Sequence, residues 1–145
     1  MIENKLLRII DANLNRTREG LRVCEDIARF SLRNRGATKT LKAIRHGATN
    51  LVLKSKKISL VELLSNRDVA KDKTKFIDLT PGLEIGISDI FMSNIERVKE
   101  SLRVLEECFK IIDEKISRGY RKLRFDTYDA EKRIVKKAGL ISCNR

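Results

Sequence analysis

The chain has 145 residues, 41% hydrophobic and 36% charged, and its 32 basic against 20 acidic side chains leave a net charge of +12. That length corresponds to one domain with one core. The N-terminus has no apolar signal core and the sequence no run of about 18 apolar residues, so neither secretion nor membrane spanning is expected. The basic balance speaks of partners (nucleic acid, an anionic surface, phosphorylated small molecules) rather than of fold.

One Pro and seven Gly leave room for long helices, and strand-length alternation of apolar and polar residues is rare. The expected fold is all-α: a single-domain helical bundle spanning 1–145, with about five helices. The first helix is predicted over about 3–35, with a stripe of Leu6, Ile10, Leu14, Leu21, Cys24 and Ala28, and Gly36 as its stop signal. A second is predicted over about Thr40–Leu53. Ser59 with Glu62 reads as a capping box opening a short third helix to about Asn66. A long loop, about 67–88, contains the turn signal Thr80-Pro81-Gly82; loops of that length in a compact domain usually serve function. Ser88 or Asp89 is expected to cap the second long helix, about 88–117, with the stripe Phe91, Ile95, Val98, Leu102, Leu105 and Phe109. Gly119 is the expected break, and a last helix covers about Tyr120–Lys137.

The two long helices repeat one another. Aligning Ala12–Phe30 with Ser93–Ile111 at a constant offset of 81 gives Asn13/Asn94, Arg16/Arg97, Glu19/Glu100, Leu21/Leu102, Arg22/Arg103, Val23/Val104 and Glu25/Glu106. This internal duplication predicts two central helices lying side by side, since neither copy could bury its stripe alone. Asn13, Arg16, Glu19, Gly20 and Val23 fall on one arc of about 120° beside the core stripe, and the second copy repeats it. Facing arcs would place Arg16 and Arg97 around one anion-accepting pocket. The alternative is plain i,i+3 ion pairing of Arg16 with Glu19 and Arg97 with Glu100, at about 0.2–0.5 kcal/mol per pair. Ion pairing accounts for Arg22 and Arg103; it does not account for Asn13 and Asn94, which are poor mid-helix residues.

Other chemistry-bearing residues are scattered. His46 is the only histidine and follows Arg45. Arg67, Asp68 and Asp72 mark the start of the long loop, where two carboxylates suit a hard cation such as Mg²⁺. Tyr120, Arg124 and Tyr128 form an i, i+4, i+8 stripe that either packs on the bundle or grips a phosphorylated ring compound. Cys24, Cys108 and Cys143 have no metal-binding spacing, and free thiols in a reducing, cytoplasmic setting are expected. No glycine-rich nucleotide motif is present.

The segments "RIIDANLNRTREGLRVCEDIARF", "LKAIRH", "RDVAKD", "SNIERVKESLRVLEECFK" and "LRFDTYDAEK", in this order, resemble the second, non-ribokinase type of hydroxymethylpyrimidine-phosphate kinase. That helical thiamine-pathway domain is also found fused ahead of thiamine-phosphate synthase. The family's loop motif ends in Asp-aliphatic-Gly, where this chain has Asp72-Lys73-Thr74. The resemblance implies transfer of the γ-phosphoryl group of ATP, with Mg²⁺, to 4-amino-2-methyl-5-hydroxymethylpyrimidine phosphate. On that reading Arg16, Arg45, Arg67 and Arg97 bind phosphate, and Arg124 and Tyr128 contact the substrate. Asp68 holds Mg²⁺, with Asp72 and Glu19 or Glu100 behind it. Asn13 and Asn94 read the aminopyrimidine edge, and His46 steadies charge. Two rivals stand beside it. One is a non-catalytic module that binds the pyrimidine phosphate or docks on the synthase. The other is a nucleic-acid-binding module, disfavoured by 5% aromatics and by the mixing of Arg with Glu on each long helix. Whether the pocket lies within one chain or across a homodimer is left open by the sequence.

Overall fold

The computed structural model describes residues 2–72 and 86–139. The Thr80-Pro81-Gly82 turn, most of the predicted loop and Cys143 lie outside the described residues. Five α-helices and no strand are found among the described residues: α1 Asn4–Asp26, α2 Arg35–Lys54, α3 Leu60–Ser65, α4 Ile87–Ile112 and α5 Glu114–Ala138. None is long and apolar enough to cross a membrane.

Several boundaries differ from the sequence expectation, and each difference has a local cause. The first helix does not run to residue 35. It widens into a π-helical segment at Ile27–Ser31, and the Asn34 amide reaches back to the Ala28 carbonyl at 2.8 Å. Arg33 then takes the left-handed conformation at φ 50°, reversing the chain without a glycine. Asn34, not Gly36, is the punctuation. Its side chain accepts from the Ala37 amide at 3.0 Å and opens α2 five residues earlier than Thr40.

Further along, Ser59 caps α3 as expected, accepting from the Glu62 amide at 3.2 Å. At α4 the N-cap is Gly86, and Asp89 sits one turn inside, accepting from the Gly86 amide at 3.1 Å. Gly119 breaks nothing and lies inside α5. The break is Asp113, whose extended backbone ends α4 while its carboxylate accepts from the Lys115 amide at 3.1 Å and begins α5. Gly139, left-handed at φ 64°, terminates α5.

The four long helices form a ring in which α1 packs on α2 and α4, and α5 packs on α4 and α2. The stripe Phe91, Ile95, Val98, Leu102, Leu105 and Phe109 is fully buried, and of the α1 stripe only Leu6 is left partly exposed. The most extensive interface joins α1 and α4, the two sequence-related helices. They run antiparallel: the Thr17 and Ser101 hydroxyls share a hydrogen bond at 2.7 Å, and Cys24 Sγ approaches the Phe91 carbonyl. A Cβ built on Gly20 would lie 2.8 Å from Val98 Cγ2 and 3.1 Å from the Asn94 carbonyl oxygen. Gly20 is therefore what lets the backbones close up. The contacts Thr17–Ser101 and Gly20–Val98 are exchanged by the offset of 81, which is the signature of a local two-fold axis across the seam.

The same axis governs the ion pairs beneath. Arg45 forks onto Glu25 (Nε–Oε2 2.5 Å, Nη2–Oε1 3.0 Å), joining α2 to α1. Arg124 reaches Glu106 through Nη2 at 3.0 Å and Nε at 3.2 Å, joining α5 to α4. All four side chains are largely buried. Tyr120 completes the frame by donating to the Ala48 carbonyl at 2.7 Å. No described buried side-chain polar atom lacks a partner.

Gly20→Ala should lower the thermal midpoint, because about 1–3 kcal/mol of overpacking exceeds the helix-propensity gain of roughly 1 kcal/mol. Gly119→Ala should cost less. The atoms nearest its added Cβ all belong to the Leu51 side chain, which can yield, whereas at Gly20 they include backbone. Calorimetry on the two variants orders them. Glu25→Ala should cost about 3–5 kcal/mol, since it leaves Arg45 buried and unpaired, whereas replacing both partners by methionine should be close to neutral; urea titration decides. Alkaline stability should also fall. Burial, with Glu25 and Glu131 adding to it, pushes the Cys24 thiol from 9.0 up to about 12, so the folded state holds a proton that the unfolded state releases. That contribution is complete below pH 9 and declines as pH rises toward 12 by about 1.4 kcal/mol per unit. Urea midpoints for wild type and Cys24→Ala at pH 8 and pH 10.5 should therefore converge at the higher pH.

Candidate functional site around the repeated helices

The seam between α1 and α4 has one face toward α2 and α5 and one away from them. Arg18 and Glu25 point toward α2, through Arg18 Nη1 to Thr49 Oγ1 at 2.6 Å and the Glu25–Arg45 fork. Arg16 is about 160° around α1 from Arg18 and about 40° from Gly20. It therefore flanks the seam on the outer face, and the same relation places Arg97 on that face from the α4 side. With Gly20 level with Val98, Arg16 and Arg97 are offset by about 7–8 Å along the helix axes. Both are exposed. Neither has a carboxylate partner among the described residues; the alternative i,i+3 pairs with Glu19 and Glu100 do not form. Arg16 Nη1 instead donates to Asn13 Oδ1 at 3.5 Å. Glu19 and Glu100 are exposed and have no ion-pair or hydrogen-bond partner among the described residues.

Asn13 is buried and Asn94 half-buried, and each returns its amide to the carbonyl four residues earlier, Asn13 to Ile9 and Asn94 to Ile90, both at 2.8 Å. This back-bonding explains how a poor helix former is tolerated mid-helix. It leaves one amide hydrogen of each asparagine and the Asn94 side-chain oxygen available at the seam, while Asn13 Oδ1 already accepts from Arg16.

The other nominated arginines are already engaged. Arg67 forks onto Asp11 with both bonds at 2.7 Å, and the hydrogen bond to Asp11 raises its pKa above the ordinary arginine value. Arg45 is raised in the same way by its hydrogen bond to Glu25. For Arg124, burial pulls downward, but hydrogen bonds to Tyr128 and Glu106 leave the guanidinium above its usual value. Asp11, buried and not singled out from the sequence, anchors the segment after α3 onto α1. The available signal was an acidic residue inside an apolar helical arc. Asp11 lies about 140° around α1 from Arg16, so Arg67 and Asp68 approach from the flank away from the seam. Asp68 accepts from the Lys71 amide at 3.1 Å and pairs with Lys71 Nζ at 3.6 Å. Among the described residues, no group of three or more His, Cys, Asp or Glu is placed to hold a metal ion. His46 is exposed on α2.

Glu100, Arg124 and Tyr128 do come together. They line a groove of about 350 Å³ between α4 and α5, with Glu96, Lys99 and Arg103. Tyr120, from the same sequence stripe, is instead buried against Phe109 at 5.4 Å between ring centroids.

A family model described as the ThiD2 family matches residues 8–133. The chain is 34% identical over 140 residues to a thiamine-phosphate synthase of Prochlorococcus marinus, covering 95% of this chain and 38% of that protein. It is 33% identical over 131 residues to a thiamine-phosphate synthase of Synechocystis sp., with 90% and 36% covered, and 31% identical over 142 residues to one of Rhodopirellula baltica, with 97% and 37% covered. The chain thus spans little more than a third of the length of these relatives. No solved structure matches. With the match running from the start of α1 to near the end of α5, the chain belongs to the ThiD2 family.

Proposed function

We propose that the chain is a thiamine-pathway kinase that phosphorylates 4-amino-2-methyl-5-hydroxymethylpyrimidine phosphate to its diphosphate with ATP. Family membership and relatives named thiamine-phosphate synthase support the pathway. The observation that supports the chemistry is the outer face of the seam, where Arg16 and Arg97 stand without carboxylate partners among the described residues, beside Asn13 and Asn94.

Phosphoryl transfer needs positioning and charge neutralisation more than covalent help. The acceptor's phosphate oxygen, already ionised, attacks the γ-phosphorus; the bond to the bridging oxygen breaks and ADP leaves. No general base is required, which leaves His46 no proton to take. Arg16 and Arg97 grip phosphate oxygens, each guanidinium offering a fork of donors. Asn13 and Asn94 offer a donor and an acceptor to the amino-pyrimidine edge.

Mg²⁺ binds through one or two carboxylates plus phosphate oxygens, and when present it neutralises charge on the transferring group. Glu19 and Glu100, without an ion-pair partner among the described residues and next to the seam arginines, fit that requirement. Asp68, engaged with Lys71 on the other flank, fits it less well, and Asp72 follows it in the chain.

A second reading, a non-catalytic partner of thiamine-phosphate synthase, is favoured by one observation: Arg45, Arg67 and Arg124 spend their guanidinium groups on internal carboxylates. Incubation with ATP, Mg²⁺ and the pyrimidine monophosphate separates the two readings. ADP and the diphosphate are the expected products; pyrimidine binding without ADP release would favour the second reading. Arg16→Ala and Arg97→Ala should each lower kcat/KM by about 10³-fold, the scale of an arginine that neutralises transferring phosphate. Near wild-type turnover in folded variants would remove the seam from the mechanism.

A further inference from the structure

The kinase reading leaves the nucleotide unplaced, because the chain has no glycine-rich phosphate loop. The local two-fold axis offers a way to look for it. A symmetric frame has to become asymmetric wherever it tells two unlike substrates apart. The ion pairs Glu25–Arg45 and Glu106–Arg124 are equivalent at offsets of 81 on the first partner and 79 on the second. The same offsets equate Arg18 with Lys99 and Thr49 with Tyr128.

At this position the halves part company. In the α1/α2 half, Arg18 Nη1 is bonded to Thr49 Oγ1 at 2.6 Å, tying the two helices together. In the α4/α5 half Lys99 ties α4 to α5 through Glu131 at 2.9 Å instead, and the threonine is replaced by Tyr128, 40% exposed, with Lys99 Nζ 5.3 Å and Arg124 Cζ 5.8 Å from its ring centroid. A groove of about 350 Å³ opens there, the size of a small-ligand site.

We infer that this α4/α5 groove binds the adenine nucleotide, an assignment that rests on the kinase reading. Tyr128 and the neighbouring Phe125 lie 5.7 Å apart edge to face; Arg124 sits over both rings and Arg121 over Phe125, and the exposed part of the rings, 40% and 52% of the residues, is the surface on which a purine stacks. The cations beside them are graded by availability. Lys99 is held by Glu96 and by Glu131 at 2.9 Å, and Arg124 by Glu106. Arg103 is 58% exposed in its side chain and, among the described residues, is bonded to Glu107 through Nε at 2.9 Å, which leaves its terminal nitrogens for a ligand. Glu96 and Glu100 are the anionic groups of the groove. Glu96 shares Lys99 with Glu131; Glu100 lies between Arg103 and Arg97 on successive turns of α4. A base on Tyr128 thus directs its phosphates past Arg103 and Glu100 toward Arg97, where the seam would present the acceptor. The smaller pyrimidine monophosphate falls to the α1 half, whose equivalent groove is tied by Arg18 and Thr49.

Calorimetric titration of the full chain with ATP and Mg²⁺, and separately with the pyrimidine monophosphate, tests this. Tyr128→Ala should weaken ATP binding about tenfold or more, with pyrimidine affinity within about twofold of wild type, and Tyr128→Phe should restore ATP binding. Arg103→Ala, at an exposed position, should likewise weaken ATP alone by about tenfold. Circular dichroism checks that each variant is folded. Wild type that binds no ATP, folded variants that bind ATP normally, or equal loss of both ligands would each overturn the assignment. ATP bound in this groove without ADP release would instead overturn the kinase reading and leave the nucleotide site standing.

Discussion

Everything in this bundle depends on how closely two backbones approach at Gly20 and Val98. The contact brings α1 and α4 together antiparallel with the Val98 side chain seated on the Gly20 backbone, and the Thr17–Ser101 hydrogen bond satisfies the hydroxyls this buries. Because the helices are copies of one pattern, a contact made by one is returned by the other. The two-fold relation then propagates outward into the buried Glu–Arg forks. Each fork satisfies a carboxylate that would be costly to bury alone. Tight backbone approach, paired ions and repeated polar arcs are one arrangement seen at increasing distance from the axis.

That arrangement sorts the arginines into two populations. Arg45, Arg67 and Arg124 hold the molecule together, binding α2, the segment after α3, and α5 to the two repeat helices. Arg16 and Arg97 hold nothing of that kind. Charge alone cannot separate these roles. What separates them is whether a carboxylate from a different helix faces the guanidinium, and that depends on which helix lies next door.

For the same reason the sequence was legible in some places and closed in others. Apolar periodicity gave the helices and the buried stripes, since burial of one face is a local pattern. The gapless offset of 81 gave the pairing of α1 with α4. Two of the helix ends are not set by glycine here. Gly36 and Gly119 both lie inside helices, while Asn34 and Asp113 do the punctuating with side-chain acceptors. The π-helical turn at Ile27–Ser31 has no local composition signal. Among candidate site residues, the seam set was readable from the repeat. Asp11–Arg67 was not, because a bond across 56 positions leaves no periodic trace. The grouping of Glu100 with Arg124 and Tyr128 likewise required knowing that α5 lies against α4.

The distance along the chain between the paired helices has a consequence for biogenesis. Each flank of the bundle is a hairpin of neighbours in sequence, α1 with α2 and α4 with α5, which can form as it leaves the ribosome. The seam cannot form then, because its second strand of contacts is encoded 81 positions later. At ordinary elongation speeds of roughly 5–20 residues per second, the exposed stripe of α1 waits about 4–16 s for its mate. Over that interval the nascent half-bundle presents an oily ledge sized for its own other half, which favours chaperone capture or pairing with a neighbouring nascent copy.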